Sequence, residues 1–261
     1  MLPRKYWDDI GEDWCRRNPQ RCWRAYSDAM ARELVETRLP LDKLGRLLKT
    51  DAFDEAAAAG VVPFLRGHGA EVTAVDLSAQ VLSGARTRYP GLPVAAADVR
   101  CLPFPDESFD TVLSLSTLDH FDAREDLGTA LREIHRVMAR RGRLLLTIDN
   151  EANPVVWLRN RLPHGLLKRL GLVPYRVGRT CRSAAPGREL TNCGFRVRSV
   201  SHVLHCPRVA AVAISAMVDR LAGETGARRL HRALDGFEVL ARMPTSALTG
   251  YYIALLAEKP A

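Results

Sequence analysis

No apolar run in this 261-residue chain is long enough to cross a bilayer. The best candidate, Val209 to Val218, is about half the required length. The opening residues, MLPRKYWDDIGEDW, lack a hydrophobic signal core and carry acids early, so a cytoplasmic setting is the expectation. Six cysteines are scattered: Cys15, Cys22, Cys101, Cys181, Cys193 and Cys206. They form no CxxC pair and no Cys/His spacing that suits zinc, so free thiols are expected and a metal site is not. Lysine is scarce (Lys5, Lys43, Lys49, Lys168 and Lys259), and arginine supplies most of the 38 basic residues against 30 acidic ones. Arginine suits phosphate and carboxylate. The net charge of +8 is nevertheless spread out, with no dense basic run interleaved with aromatics, so nucleic acid is not an expected partner. Internal repeats and low-complexity linkers are missing too. With 47% hydrophobic residues, the chain can bury a sizeable core.

The apolar pattern then gives the order of elements. Tyr6 to Leu39 is helical and aromatic, and Pro40 closes it. Short apolar strands are predicted at Leu44 to Thr50, Glu71 to Val75, Val94 to Ala97, Phe109 to Ser114 and Arg143 to Ile148. Helices are predicted between them at Ala56 to Leu65, with Pro63 inside or shifting its start, at Ala79 to Tyr89 with Ser78 as N-cap, and at Asp126 to Met138. Further on, Pro154 to Tyr175 is a basic, partly helical excursion. Phe195 to Leu204 is a strand, Val209 to Leu240 is largely helical, and Thr249 to Ala257 is a final strand. Strands alternating with helices at this spacing imply βαβ units and a parallel α/β sheet. Three segments follow: an aromatic helical lid at 1–40, a core at 41–150, and acceptor-side insertions with C-terminal strands at 151–261 that complete the same domain.

Ligands of such sheets sit beyond the carboxyl ends of the strands. The strand ends here carry Asp51, Asp76, Asp98 and the run Ser116 to His120. An ionised carboxylate only accepts, so Asp76 suits the two hydroxyls of a ribose and Asp98 an exocyclic amino group such as adenine's. Each aspartate also has a plainer reading as a turn or N-cap residue.

The order VTAVDLS, then AAADVRCLPFPDESFDTVLSLSTLDHF, then ALREIHRVMARRGRLLLTI resembles the class I S-adenosylmethionine-dependent methyltransferases, nearest their ubiquinone-biosynthesis-like and small-molecule subgroup. The resemblance covers roughly Leu44 to Asn150, and ADVRCLPFPDESFDTV is its most specific part. It implies a Rossmann-like parallel sheet with an antiparallel C-terminal strand, and S-adenosyl-L-methionine as cofactor. It also implies in-line methyl transfer to a small-molecule acceptor. By that match Asp76 with Leu77 takes the ribose, Asp98 with Val99 flanks the adenine, and Ser116 and Thr117 line the cofactor.

One departure stands out. The family's first strand leads into a glycine-rich loop, whereas this chain has LLKTDAFDEAAAAG, with no glycine before Gly60. Asp51 also lies 25 residues before Asp76, slightly more than the usual spacing of about 20. Either Thr50, Asp51 and Asp54 hold the cofactor's amino group, with a helix N-terminus near its carboxylate, or the site is degenerate and the fold serves non-methyl chemistry.

His120, with Asp119 to orient it or acting independently, is placed as a base for an acceptor that carries a proton. Tyr6, Trp7 and Tyr26 are candidates to cover the cofactor and meet the acceptor, since aromatic faces suit a sulfonium. Tyr175 and His205, the latter beside His202 and Cys206, complete the acceptor-side candidates. Plain packing is the competing reading for each. Arg159, Arg161, Lys168, Arg169, Arg176 and Arg179 read as a solvated face or as contacts to an anionic or lipid-like acceptor or a membrane surface. An RNA-binding or RNA-modifying protein is the alternative that the arginine content keeps open.

Overall fold

The computed structural model describes residues 4–17, 20–121, 123–169, 178 and 186–261. Tyr175, Arg176, Arg179 and Cys181, named above, lie outside the described residues.

A seven-stranded sheet runs through the molecule. Its strands are β1 (Arg46–Lys49), β2 (Glu71–Asp76), β3 (Val94–Ala96), β4 (Phe109–Leu115), β5 (Met138–Asp149), β6 (Arg196–Val203) and β7 (Tyr252–Glu258). They lie in the order β3-β2-β1-β4-β5-β7-β6. β1 to β5 pair in parallel, and β7 inserts antiparallel between β5 and β6. This is the expected parallel sheet with an antiparallel C-terminal strand. The strand order turns back at β1, flanked by β2 and β4, and that reversal opens a crevice above the strand ends.

Period-two alternation of apolar residues builds both faces. Leu48, Val112, Leu144 and Leu146 enter one core, packed under α6 (Arg124–Val137). Leu47, Leu113 and Leu145 enter the other, under α4 (Val62–Gly67) and α5 (Ala79–Arg88). With both faces covered, these strands read as continuous apolar runs.

The N-terminal aromatic segment is two helices, α1 (Arg4–Arg17) and α2 (Arg21–Arg38), separated by Asn18-Pro19 in sequence and by Gln20 at φ 60°. α1 lies against α5. A Cβ on Gly11 would meet Val81 Cγ2 at 2.7 Å, so only glycine permits that approach. Ser78 Oγ caps α5 by accepting from the Val81 N–H, and donates in turn to Asp8 of α1 at 2.7 Å. A third cluster holds Trp23 and Tyr26 of α2 against Leu204, Tyr251 and Ala211 of α10 (Arg208–Leu221).

Two elements differ in their bounds from the sequence expectation. The helix predicted over Ala56 to Leu65 is two, α3 (Phe53–Ala57) and α4, because Pro63 fits only the first turn of a helix. Between them Gly60 adopts φ +62°. The strand predicted from Arg143 begins at Met138, directly after α6. Helices α7 (Pro154–Arg161), α8 (His164–Arg169), α11 (Gly223–Asp235) and α12 (Ser246–Thr249) lie in the predicted helical regions or beside the last strand, whereas α9 (Pro186–Asn192) was not foreseen. Among the described residues no helix is long and apolar enough to cross a membrane.

Part of the arginine charge is neutralised locally. Arg46 pairs with Asp110, Arg136 with Glu133 and Asp106, Arg198 with Glu258, and Arg159 with Asp149. Arg159 therefore does not belong to a solvated basic face: its side chain is 10% exposed.

Candidate functional site

A cavity of about 760 Å³ opens above the carboxyl ends of β1, β2, β3 and β4, within the range of small-molecule sites. The strand-end residues Thr50, Asp51, Asp76, Leu77, Asp98, Val99, Ser116 and Thr117 all line it, as does His120. The topology brings together every residue read from the sequence as cofactor-binding.

Asp76 ends β2. Its Oδ1 accepts from the Ser78 N–H at 2.9 Å and its Oδ2 from the Ala52 N–H at 3.1 Å. Each oxygen keeps a second acceptor position for a hydroxyl donor. Burial outweighs these two bonds and, with the nearby Asp51 charge, pushes the carboxyl up to about 6. Asp98 behaves differently. Burial acts to raise its pKa, but the hydrogen bonds and charge of Arg100 hold it below the ordinary value. Arg100 reaches Asp98 Oδ2 at 2.6 Å and Asp126 Oδ1 at 2.5 Å. Ser116, at the end of β4, has φ 52°, a sparsely populated conformation for a non-glycine residue. Its N–H donates to Thr147 Oγ1 at 2.9 Å.

The loop after β1 contains no glycine, and side chains hold it. Lys49 is 1% exposed, and its ammonium lies 2.8 Å from Asp51 Oδ1 and 2.9 Å from Glu55 Oε2. Burial acts to lower the Lys49 pKa, but Asp51 and Glu55 outweigh it and keep the amine charged. Glu55 Oε1 accepts from the N–H groups of Val61 at 3.0 Å and Val62 at 3.4 Å. Thr50 Oγ1 donates to Ser114 Oγ at 2.9 Å, and Thr117 Oγ1 donates to Asp51 Oδ2 at 3.2 Å.

Asp28 of α2 accepts from the Gly60 N–H at 2.9 Å. Burial, reinforced by Asp54, raises its pKa from the ordinary 3.8 to about 6. The folded chain therefore keeps a proton that the unfolded chain releases between pH of about 4 and about 6. Stability falls as pH rises through that window, and the deficit is complete above it. Asp28→Asn keeps an acceptor for Gly60. It is expected to be about 1–2 kcal/mol more stable than the parent at pH 8, and to lose that advantage by about pH 4. Urea midpoints at the two pH values check this. Equal gains at both would contradict it.

Not every expected residue faces the cavity. Asp119 is buried, and its Oδ1 accepts from the Asp149 N–H at 2.8 Å, tying the turn after β4 to the end of β5. Tyr26 is 1% exposed in the third cluster, with its ring against Trp23 and His231. His205 is buried, and its ring nitrogens bond Thr249 Oγ1 at 2.8 Å and the His202 carbonyl at 3.0 Å. None of these three is among the residues that line the cavity. Trp7 does line the cavity, edge-on to His120 at 4.7 Å, while Tyr6 packs against Trp7.

Sequence reasoning missed Arg24, Phe53, Arg208 and Tyr252, which also line the cavity. A signal existed for the first: Trp23, Ser27, Met30, Leu34 and Arg38 follow at helical spacing on the face of α2 that lines the cavity, with Arg24 beside them. Among the described residues, no three His, Cys, Asp or Glu side chains gather as a metal site would require.

Residues 56–146 match the family described as "Methyltransferase domain". The matched span begins inside the glycine-poor segment that ends at Gly60. A malonyl-[acyl-carrier protein] O-methyltransferase from Pseudescherichia vulneris is 34% identical over 110 residues, 42% of this chain and 43% of that protein. A demethylmenaquinone methyltransferase from Chlorobaculum parvum is 33% identical over 116 residues, 44% of each chain. The chain thus spans less than half the length of these curated relatives. Among solved structures, a putative S-adenosylmethionine dependent methyltransferase from Listeria monocytogenes superposes with TM-score 0.58 at 13% identity, over 91% of this chain and all of that one. The [4+2]-cyclase SpnF superposes with TM-score 0.54 at 21% identity, covering 90% of this chain and 81% of that one. At these identities the structures speak for the fold. Together with the sheet order, the match over residues 56–146 makes this part of the chain similar to a methyltransferase domain, on a Rossmann-like fold that it shares with S-adenosylmethionine-dependent methyltransferase structures.

Proposed function

We propose that this chain transfers the methyl group of S-adenosylmethionine to a small-molecule acceptor. The carrying observation is that Asp76 and Asp98, at the ends of neighbouring strands β2 and β3, line one cavity with Leu77, Val99, Ser116 and Thr117. Those side chains fit a nucleoside: free acceptor positions on Asp76 for ribose hydroxyls, Asp98 for an amino group, and apolar Leu77 and Val99 for the base faces.

The bound cofactor supplies a methyl carbon already activated by the sulfonium. What remains for the protein is to orient the acceptor and keep water out. Trp7 and Phe121 give apolar cover on the His120 side. His120, beside Trp7, is the residue we assign as base for an acceptor that carries a hydroxyl proton, Nε2 or Nδ1 taking it. Asp119 bears on His120 by fixing the turn both occupy. The carboxylates lining the cavity suit a cationic cofactor. The acceptor side is formed by Trp23, Met30 and Leu34 of α2 with Leu204, Tyr252 and Arg208. A cytoplasmic setting belongs to this reading, in keeping with five described cysteines as free thiols.

A second reading has one observation in its favour. Phe53 and Glu55 stand in the loop where bare backbone is expected, which suits a methyltransferase fold that retains the nucleoside for non-methyl chemistry.

Calorimetric titration with S-adenosylhomocysteine tests the first reading. Saturable binding with stoichiometry near one is expected. Absence of heat and of any thermal shift at millimolar ligand would refute it. Binding without methyl consumption across candidate acceptors would move the assignment to the second reading.

A further inference from the structure

A loop that meets a ligand with bare backbone needs glycine, because any Cβ holds the ligand away. In this chain the loop from Thr50 to Glu55 has none, and charge takes its place. The Lys49, Asp51 and Glu55 triad fixes the loop from beneath. Glu55 Oε1 sits so close to Gly60 that a Cβ there would lie 2.3 Å from it. The loop is therefore shaped by side chains on its protein side, and side chains also meet the cavity.

On the cavity side stand Arg24, Phe53, Asp51 and Asp54. Arg24 comes from α2, far from the loop in sequence. Its side chain is 9% exposed and its Nη2 lies 2.5 Å from Asp54 Oδ1. Its guanidinium sits 5.1 Å from the centre of the Trp14 ring and 4.9 Å from that of Phe53. Among the described residues its buried Nε has no hydrogen-bond partner. A guanidinium desolvated to this degree and held by a single carboxylate is under-satisfied, and a second carboxylate is its natural complement. Asp51 and Asp54 are in turn acceptors for an ammonium. An α-amino acid presents both groups on one carbon.

We infer that Arg24, Asp54 and Asp51 form a side-chain clamp for the amino-acid end of the cofactor, in place of the glycine-rich loop. Arg24 takes the α-carboxylate, and Asp51 and Asp54 take the α-ammonium. The five-residue α3 is too short to supply a helix N-terminus for that carboxylate. The inference rests on the nucleoside site proposed above. It adds that affinity for the amino-acid end depends on a residue of α2, outside the matched domain.

Two probes separate the claims: S-adenosylhomocysteine, which has the amino-acid end, and 5′-methylthioadenosine, which shares the nucleoside thioether and lacks it. Calorimetry on the full chain is expected to show S-adenosylhomocysteine binding the tighter. Arg24→Ala is expected to weaken S-adenosylhomocysteine about 30-fold and to leave 5′-methylthioadenosine within about twofold. Asp54→Asn, which keeps the side-chain volume, is expected to narrow the ratio between the ligands in the same direction, and it serves if Arg24→Ala does not fold. Equal weakening of both ligands in each variant would make Arg24 a packing residue and overturn the clamp. Equal affinity of the parent for both ligands would overturn the clamp while leaving the nucleoside site standing. Binding of neither would bring down the clamp and the methyltransferase reading together.

Discussion

Lys49→Met is expected to cost about 3–5 kcal/mol of folding stability, the range found when one partner of a buried ion pair is removed. Methionine matches the apolar stem of lysine, so little of the loss is packing. The loss comes from Glu55, which is fully buried and keeps its charge or takes a proton with no counter-ion beside it. Asp51 suffers less, since Thr117 still donates to its Oδ2. The double variant Lys49→Met with Glu55→Gln is expected to regain most of the loss. Glutamine Oε1 still accepts from the Val61 and Val62 N–H groups and buries no charge. Urea unfolding of the parent, both single variants and the double closes the cycle. A single-variant cost below about 1 kcal/mol, or no recovery in the double, would show that the triad does not hold the loop.

The same triad marks where the sequence stopped being legible. Strand positions were readable because parallel strands buried on both faces are short apolar runs, and Leu47-Leu48, Val112-Leu113 and Leu144 to Leu146 are such runs. The strand-end acids were readable because topology alone carries Asp76 and Asp98 to one crevice. Ser78 was readable as a cap from its position before Ala79. The loop after β1 was not. Lys49 in a buried strand looks like a contradiction until Asp51 and Glu55 are seen to fold back onto it, and that return depends on Gly60 at positive φ and on the N–H groups it aligns. The pairing of Arg24, as distinct from its place on α2, was illegible for a different reason. Its partner Asp54 is 30 residues away on another element, and no local period links them. Tyr26 and His205 look like cavity residues by position on their elements, yet Tyr26 packs into the third apolar cluster and the His205 ring is turned inward by its bonds to Thr249 and the His202 carbonyl.

Asp76→Asn is expected to weaken S-adenosylhomocysteine about 100-fold, the equivalent of about 2–3 kcal/mol for hydrogen bonds to a charged acceptor. The reason is the count of lone pairs. The carboxylate already accepts from Ala52 and Ser78, and it has one acceptor position left on each oxygen for the two ribose hydroxyls. An amide replaces one of those oxygens with a donor group. That group opposes either the Ala52 or the Ser78 N–H and offers nothing to one hydroxyl. The pH profile gives a second, independent reading. With its carboxyl raised to about 6, Asp76 is ionised above that value and protonated below it. Hydroxyl donors need the ionised form, so parent affinity is expected to be flat above about pH 6 and to fall up to tenfold per unit below it. Asp98, held low by Arg100, stays ionised across this range and does not contribute to the slope. The Asp76→Asn variant is expected to bind weakly, with a level profile from about pH 5 to about pH 8. Affinity of the parent that rises on acidification, or a variant that keeps the parent's profile, would mean that the ribose is not gripped at the end of β2.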